Sequence, residues 1–498
     1  MDRHRKRHCW ECRRLCLVCD FTEPACRRCF LSGIECPGYS DVKPTKFKWL
    51  IPGRITSRHR VRKRTASDVM DNNRNEMKTT RTTKLATTKK GLLIPQFEIL
   101  TEAHIIGQAA QYFNSCIYQD LLPIQELGPN PHIYPISATH LKVAATRPDY
   151  LLFGMICMTL SHRINRTRSE SSSKALAQKF YLYWGLSVRS LNRRLDVKDG
   201  QLDDLVLVSV MTLLLTDVQM GTSLNWRCHL DGLHKMIALR GGYKVLATSW
   251  SLEPLLICLW FVAVIANTTC PASDLTMTSS QLDEIEFLQK QYSDAASPFM
   301  MCPFTLFAQI IKINHLRMRA TACETKEIND LSQEAYNILE RIHDFSPEEW
   351  ANSKFSSKAD WLLIGKVYQA SIVLYCILSL QSLSVLPTTA LLQASCSAHG
   401  RHLHLLLDQG LASQKIKRFM IWPLVLLGVQ AIHEDLATRA FVSKQLPELS
   451  RDVGTYVPLM AKRVLESFWG SGKTDWDACF DRPYVFTTQI AVDTSRCR

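Results

Sequence analysis

The sequence predicts two kinds of fold in one chain. A small cysteine-held module over residues 8–38 precedes a large all-α body over 93–490, and a disordered basic linker over 39–92 joins them. Three observations carry this. Seven of the 18 cysteines fall between Cys9 and Cys36, while the other eleven are scattered singly from Cys116 to Cys497. Residues 1–92 hold 23 basic and 9 acidic side chains, so the whole formal charge of +14 sits there and the remainder is neutral. Behind residue 93 the apolar residues recur with the period of a helix. At 498 residues, with 46 % apolar and 21 % charged side chains, the chain has a globular mix, which excludes a wholly disordered or fibrous protein.

The N-terminus opens Met-Asp-Arg-His-Arg-Lys-Arg and runs straight into cysteines with no apolar stretch behind it, so no secretory leader is expected. The apolar runs 254–266 and 419–429 fall short of the roughly 18 to 20 residues of a membrane span. The expectation is a soluble intracellular protein without a membrane partner, in which clustered thiols bind metal and do not pair as disulfides.

The module follows next. Its spacing, Cys9-x2-Cys12-x6-Cys19-x6-Cys26-x2-Cys29-x6-Cys36, repeats one x2, x6 half twice. A Cys-x2-Cys turn aims two thiolates at one tetrahedral zinc, and a third thiolate seven residues on completes three of the four corners. If each half shares one sulfur, six thiolates serve two zinc ions. Two Zn²⁺ and six thiolates leave a charge of about −2, which Arg13, Arg14, Arg27 and Arg28 would offset while facing phosphate.

The linker is poor in large apolar side chains beyond the stretch from Phe47 to Ile51, and rich in Lys, Arg, Thr and Asn. Such a stretch buries too little to offset its chain entropy. It carries Lys46, Lys48 and the run Arg58-His59-Arg60-Val61-Arg62-Lys63-Arg64, and no sustained heptad pattern.

In the body, Leu176, Phe180, Trp184, Val188, Leu191 and Leu195 draw one apolar face on a helix ending near Asp196. The next helix starts after Gly200 and is apolar nearly all round over 205–215, as a central helix would be. Further helices are expected over 228–240, 252–267, 304–320, 330–343, 359–383, 389–411, 420–440 and 453–469. The helix at 228–240 stops at Gly241-Gly242. No alternating strand series and no repeat of 20 to 50 residues is visible.

Catalytic motifs fare poorly. Gly470-Ser471-Gly472-Lys473-Thr474 ends like a phosphate-binding loop, but Ser467 stands where that motif needs glycine and a helix precedes it. His229, Asp231 and His234 do not share one helical face, and His404 with Asp408 offers two ligands, too few for a metal. The chain is expected not to be an enzyme.

Residues 9–39, including Asp20 after the third cysteine, Pro24 before the fourth and the closing Pro37-Gly38-Tyr39, resemble the fungal Zn2Cys6 binuclear-cluster DNA-binding domain. The segment 224–242, with Trp226, Leu230, Leu233 and Ile237, resembles a signature of the fungus-specific transcription factor domain, a helical regulatory region. The resemblance implies a nuclear transcription factor that binds two zinc ions through Cys9, Cys12, Cys19, Cys26, Cys29 and Cys36, with Cys9 and Cys26 bridging. It implies double-stranded DNA read at CGG-type triplets, with Arg13, Arg14, Arg27, Arg28, Lys46 and Lys48 as DNA contacts. Arg58, Arg60, Arg62, Lys63 and Arg64 would form a nuclear-import signal. Transcription machinery is the implied partner, alongside a small-molecule effector in some members, and the chain acts as a monomer or as a homodimer through its body. One departure stands out: Leu15, Cys16 and Val18 occupy positions where the family usually carries basic contacts. An Arg or Lys chelating guanine contributes about 1–3 kcal/mol of discrimination that these residues cannot supply. The alternative reading is therefore an interaction or effector-binding regulator whose DNA reading is weakened.

Overall fold

The structure, a computed structural model, describes Cys9, Cys12, residues 19–22, 25–27, Cys29, Cys36, Gly38 and Tyr39 and, with short gaps, residues 102–487. The chain divides into two compact units, Met1–Ile94 and Pro95–Arg498. Apart from Tyr39, the expected linker lies outside the described residues, as do Arg13, Arg14, Leu15, Cys16, Val18, Arg28, Lys46, Lys48, Arg58, Arg60, Arg62, Lys63 and Arg64.

Every regular element among the described residues is helical. The body opens with α1 (Glu102–Tyr112), which runs into a π-helical turn, Phe113–Ile117, and is followed by the short α2 (Ala138–Ala144). Next come α3 (Asp149–Arg166), α4 (Glu170–Leu195), α5 (Asp204–Met220), α6 (Trp226–Leu239) and α7 (Glu253–Thr268). The second half holds α8 (Phe304–Ala322), α9 (Ile328–His343), α10 (Lys358–Gln381) and α11 (Ala390–Ala412). It closes with α12 (Ile421–Gln430), α13 (Leu436–Val453), α14 (Val457–Ser471) and the one-turn α15 (Trp476–Cys479).

The expected apolar faces are the buried ones. Phe180 and Leu191 of α4 are buried, with Trp184, Val188 and Leu195 half-buried beside them. Trp226, Leu230, Leu233 and Ile237 of α6 all point inward, and the helix ends where Gly241 and Gly242 take φ of +92° and +90°, a backbone that side chains with a Cβ resist. Its last turn is closed by the Gly242 amide, which donates to the Ile237 carbonyl at 2.9 Å. Helix α5, expected to be enclosed, buries nearly its whole circumference and is capped by the Asp203 carboxylate, which accepts from the Leu205 amide at 2.9 Å.

Four expectations need correction. The helix foreseen over 420–440 is two helices, because the Arg439 guanidinium accepts the role of a cap: its Nε and Nη2 donate to the carbonyls of Ala431 and Ile432 at 2.9 and 3.1 Å, ending α12. Helix α13 then runs on through Pro447, past the bound of 440 expected for this region. The apolar pattern marks no helix ahead of 174, yet α3 is a long helix whose Tyr150 to Gly154 are all buried, so no single stripe distinguishes it. Finally, α10 is long and apolar enough to cross a membrane, with an 18-residue window of mean hydropathy 1.6. Of that window 72 % is buried against the other helices, where a core helix spends its apolar surface.

The core is centred on α5, α7, α10 and α12. Every residue of α7 from Leu255 to Thr268 is buried, and so is every residue of α12. A buried cation sits beside them. The Arg317 side chain of α8 has no exposed surface. Its Nη1 donates to the Asn267 carbonyl at 3.0 Å and to Tyr375 at 3.2 Å, and its Nη2 donates to the Cys270 carbonyl at 2.8 Å and to Asp477 at 2.9 Å. Burial pulls this guanidinium down, but Tyr375 and Asp477 outweigh it and raise its pKa. The same helix end receives the indoles of Trp422 and Trp476, which donate to Thr268 at 2.9 and 3.0 Å, and pairs with Tyr484 through Thr269.

Removing one partner of a buried ion pair costs about 3–5 kcal/mol. Arg317→Ala should therefore lower the free energy of unfolding by about 3 kcal/mol or more, read as a shift of the urea midpoint. An unchanged midpoint would show that the network adds no stability.

Candidate metal centre and cavity

The six regularly spaced cysteines converge. Cys9, Cys12, Cys19 and Cys26 form one group and Cys9, Cys26, Cys29 and Cys36 a second, each with all sulfurs within 4.8 Å of one another. The two groups overlap in Cys9 and Cys26. A tetrahedral thiolate site with metal–sulfur bonds of about 2.3 Å spaces its sulfurs about 3.8 Å apart. Here Cys9 and Cys26 stand 3.6 Å apart, Cys9 and Cys29 3.7 Å, and Cys12 and Cys26 3.6 Å. Each group is thus spaced as a metal–thiolate site would be, and the two have Cys9 and Cys26 in common.

The backbone repeats with the sulfurs. The amide of Cys9 donates to the Cys19 sulfur at 3.5 Å, and that of Cys26, seventeen residues on, to the Cys36 sulfur at 3.4 Å. Likewise the Cys12 amide donates to Cys9 at 3.4 Å and the Cys29 amide to Cys26 at 3.3 Å. Every one of these bonds has its counterpart in the other half, so the doubled spacing is a doubled structure.

Charge explains why such a group needs cations. Burial pushes the Cys9 thiol up to about 11, and burial with neighbouring sulfurs pushes Cys12 and Cys29 higher. For Cys19 burial is outweighed by the Cys9 amide and the Tyr39 hydroxyl, which bring the thiol down to about 7, and Cys36 is lowered by its own amide donors in the same way. Six thiolates this close ionise together only if positive charge sits among them.

Two residues that spacing alone does not explain tie the halves together. The Asp20 carboxylate accepts from the Arg27 amide at 3.0 and 3.1 Å and from the Thr22 hydroxyl at 3.0 Å. Tyr39 donates to the Thr22 carbonyl at 2.9 Å while its hydroxyl lies 3.5 Å from the Cys19 sulfur. Arg27 itself is exposed.

In the body, two of the polar residues weighed as ligands have other neighbours. His229 lies 3.2 Å from the buried Asp217, and the centroids of the His404 and Phe441 rings lie 4.3 Å apart with the rings tilted by 37°. Gly470 and Ser471 end α14, Gly472 caps it, and beyond it the Lys473 amide donates to the Ser471 hydroxyl at 3.2 Å. A phosphate loop needs a helix N-terminus there.

What the sequence did not disclose is a cavity of about 300 Å³ inside the body. Its wall includes Phe113, Leu152, Met155, Ile156, Met211 and Leu255, and the polar groups His140, Arg147, His162 and Arg418. His162 is 3 % exposed. Its Nδ1 lies 3.1 Å from the Tyr112 hydroxyl and its Nε2 3.6 Å from Asp120, which also pairs with Arg166. Gly454, at φ +70°, lets this ring in: a Cβ there would stand 2.3 Å from it. These residues run from 106 to 487 in the chain, so no local spacing could have marked them.

With that geometry in place, comparison adds relatives. The fungal specific transcription factor domain matches residues 109–486. A phomenoic acid biosynthesis cluster-specific transcriptional regulator from Leptosphaeria maculans is 50 % identical over 505 aligned residues, covering 99 % of this chain and 92 % of the relative. No solved structure matches the chain.

Without the Asp20 acceptor the Arg27 amide loses its bond to the other half, and Asp20→Ala should speed alkylation of the cluster cysteines in the native protein severalfold. An unchanged rate would mean that Asp20 does not hold the halves together.

Proposed function

The chain belongs to the family of fungal transcription regulators that carry the fungal specific transcription factor domain, and from that premise we propose that it works in the nucleus by docking a two-zinc cysteine module on double-stranded DNA. The observation that carries this reading is the pair of overlapping sulfur groups sharing Cys9 and Cys26. Zinc would supply the positive charge that lets six thiolates coexist, and would hold a module too small for an apolar core. Arg13, Arg14, Arg27, Arg28, Lys46 and Lys48 would contact DNA, mostly at phosphates, which deliver affinity without sequence information. Arg58, Arg60, Arg62, Lys63 and Arg64 would serve nuclear import. The chain acts by binding, not turnover.

The body would set the output, recruiting transcription machinery and receiving a small-molecule signal, with the chain acting as a monomer or as a homodimer through it. The relative's name extends the reading one step: this chain regulates a cluster of biosynthesis genes. CGG-type triplets are the proposed target. Leu15, Cys16 and Val18 favour the second reading, a regulator with weakened base discrimination, because none of them offers the donors that chelate guanine.

Metal analysis of the full chain should give about two zinc ions. Cys9→Ser and Cys26→Ser should each lose both, whereas Cys12→Ser should lose one at most. Identical losses from all these variants would refute the shared corners.

Selection from random DNA with the full chain should enrich a CGG-containing site, with binding that weakens steeply as salt rises. The variant Leu15→Arg, Cys16→Lys, Val18→Lys should bind that site at least about tenfold tighter. No enrichment by either protein would overturn the DNA reading, and equal affinities would show that these three positions do not limit it.

A further inference from the structure

The cavity has the build of a ligand site. At about 300 Å³ it reaches the size range of small-molecule pockets, and its wall is chiefly apolar with a few convergent polar groups. It is drawn from both ends of the body, from Phe113 and Ile117 of the π-helical turn to Val453 and Thr487. A π-helical turn inside an α-helix is a costly winding that recurs at functional sites, and here it places two apolar side chains on the wall. Met155, Met158 and Met211 add adaptable surface. Met155 is 40 % exposed, so the cavity reaches solvent on that side.

The charge of the wall narrows the ligand class. Among the described residues it carries two arginines and two histidines, His140, Arg147, His162 and Arg418, and no Asp or Glu. Arg418 precedes α12 and shares the cavity wall with His162, and its charge acts on His162 and is opposed by that of Asp120. Burial pulls the guanidinium down to about 10, against the pull of Asp120. His162 is held neutral, first by burial and then by the positive charge of Arg418, although Asp120 acts the other way. Asp120 itself is held below the usual carboxylate range: burial raises it, but His162 and Arg166 outweigh that. The wall thus sets guanidinium groups and no carboxylate among its polar side chains, and a guanidinium in a poorly solvated site favours a carboxylate, which it binds with two parallel hydrogen bonds.

We propose that this cavity binds a small amphipathic carboxylate, its apolar chain along Phe113, Leu152, Met155 and Met211 and its acid group on Arg418 beside His162. The proposal rests on the reading of the body as the receiver of a small-molecule signal, and gives that signal a place and a chemical class. A chain of methylenes suits the apolar wall. A diacid or a sugar phosphate does not, since most of the surface would meet it with carbon.

The test uses the purified full chain and straight-chain probes of 8 to 16 carbons, as the carboxylic acid, the primary alcohol and the primary amine. Binding is followed by calorimetry and by the rise in melting temperature. The acids should bind saturably, at least about tenfold tighter than alcohols of equal length, while the amines should not bind. Arg418→Gln should erase the preference for acid over alcohol, and Arg418→Lys should restore part of it. Met155→Trp, at an exposed position on the wall, should weaken acid and alcohol alike by narrowing the cavity without touching the charge. Alcohols binding as well as acids would overturn the carboxylate assignment while leaving a ligand-receiving body in place. Acids that bind equally to the wild type, Arg418→Gln and Met155→Trp would place their site elsewhere and overturn the proposal. No binding by any probe would overturn both readings.

Discussion

The body is held at one point by a buried positive charge. Arg317 reaches the C-terminal end of α7, where carbonyls are left without helical partners, and satisfies those of Asn267 and Cys270 while pairing with Asp477. A helix C-terminus attracts a cation, and the planar guanidinium can serve several acceptors at once, which a lysine ammonium on a flexible stem does less well. The consequence reaches across the fold. Leu255 stands on α7 and Thr487 follows the segment that Asp477 and Tyr484 tie down, and both belong to the cavity wall. The network that fixes the C-terminal segment thus also fixes two sides of the cavity.

The two units make a core by different means. The body encloses whole helices in apolar side chains, as α7 and α12 do. Among the described residues of the N-terminal unit the buried cluster consists of Cys9, Cys12, Cys19, Cys26 and Cys29, with Phe21, Cys36 and Tyr39 packed around them. Sulfur fills the space there that apolar side chains fill in the body. A module of this kind depends on what its sulfurs bind, while the body depends on area removed from water.

What could be read in advance follows from how local each signal is. The Cys-x2-Cys and x6 spacings are local, and they mark the residues whose sulfurs converge. The stripes on α4 and α6 are local too, and so are the glycines that stop α6. The break between α12 and α13 is not, because the cap comes from Arg439 after the break and nothing distinguishes it from a surface arginine. Helix α3 was missed because enclosure on most sides erases the period. Arg317, His162 and Arg418 look like ordinary polar residues in sequence, and only the packing of helices far apart in the chain gives them their surroundings. Asp20 was noticed as part of a resemblance, but its bond to the Arg27 amide belongs to the folded state.

That bond separates two properties of residue 27. Asp20 holds its backbone amide, and the side chain stands exposed. Every residue type except proline presents the same amide. The scaffold therefore places almost no demand on the identity of residue 27, and descendants of this chain are free to exchange that side chain one mutation at a time without passing through an unfolded intermediate. The frame is inherited, and the surface it displays is open to selection.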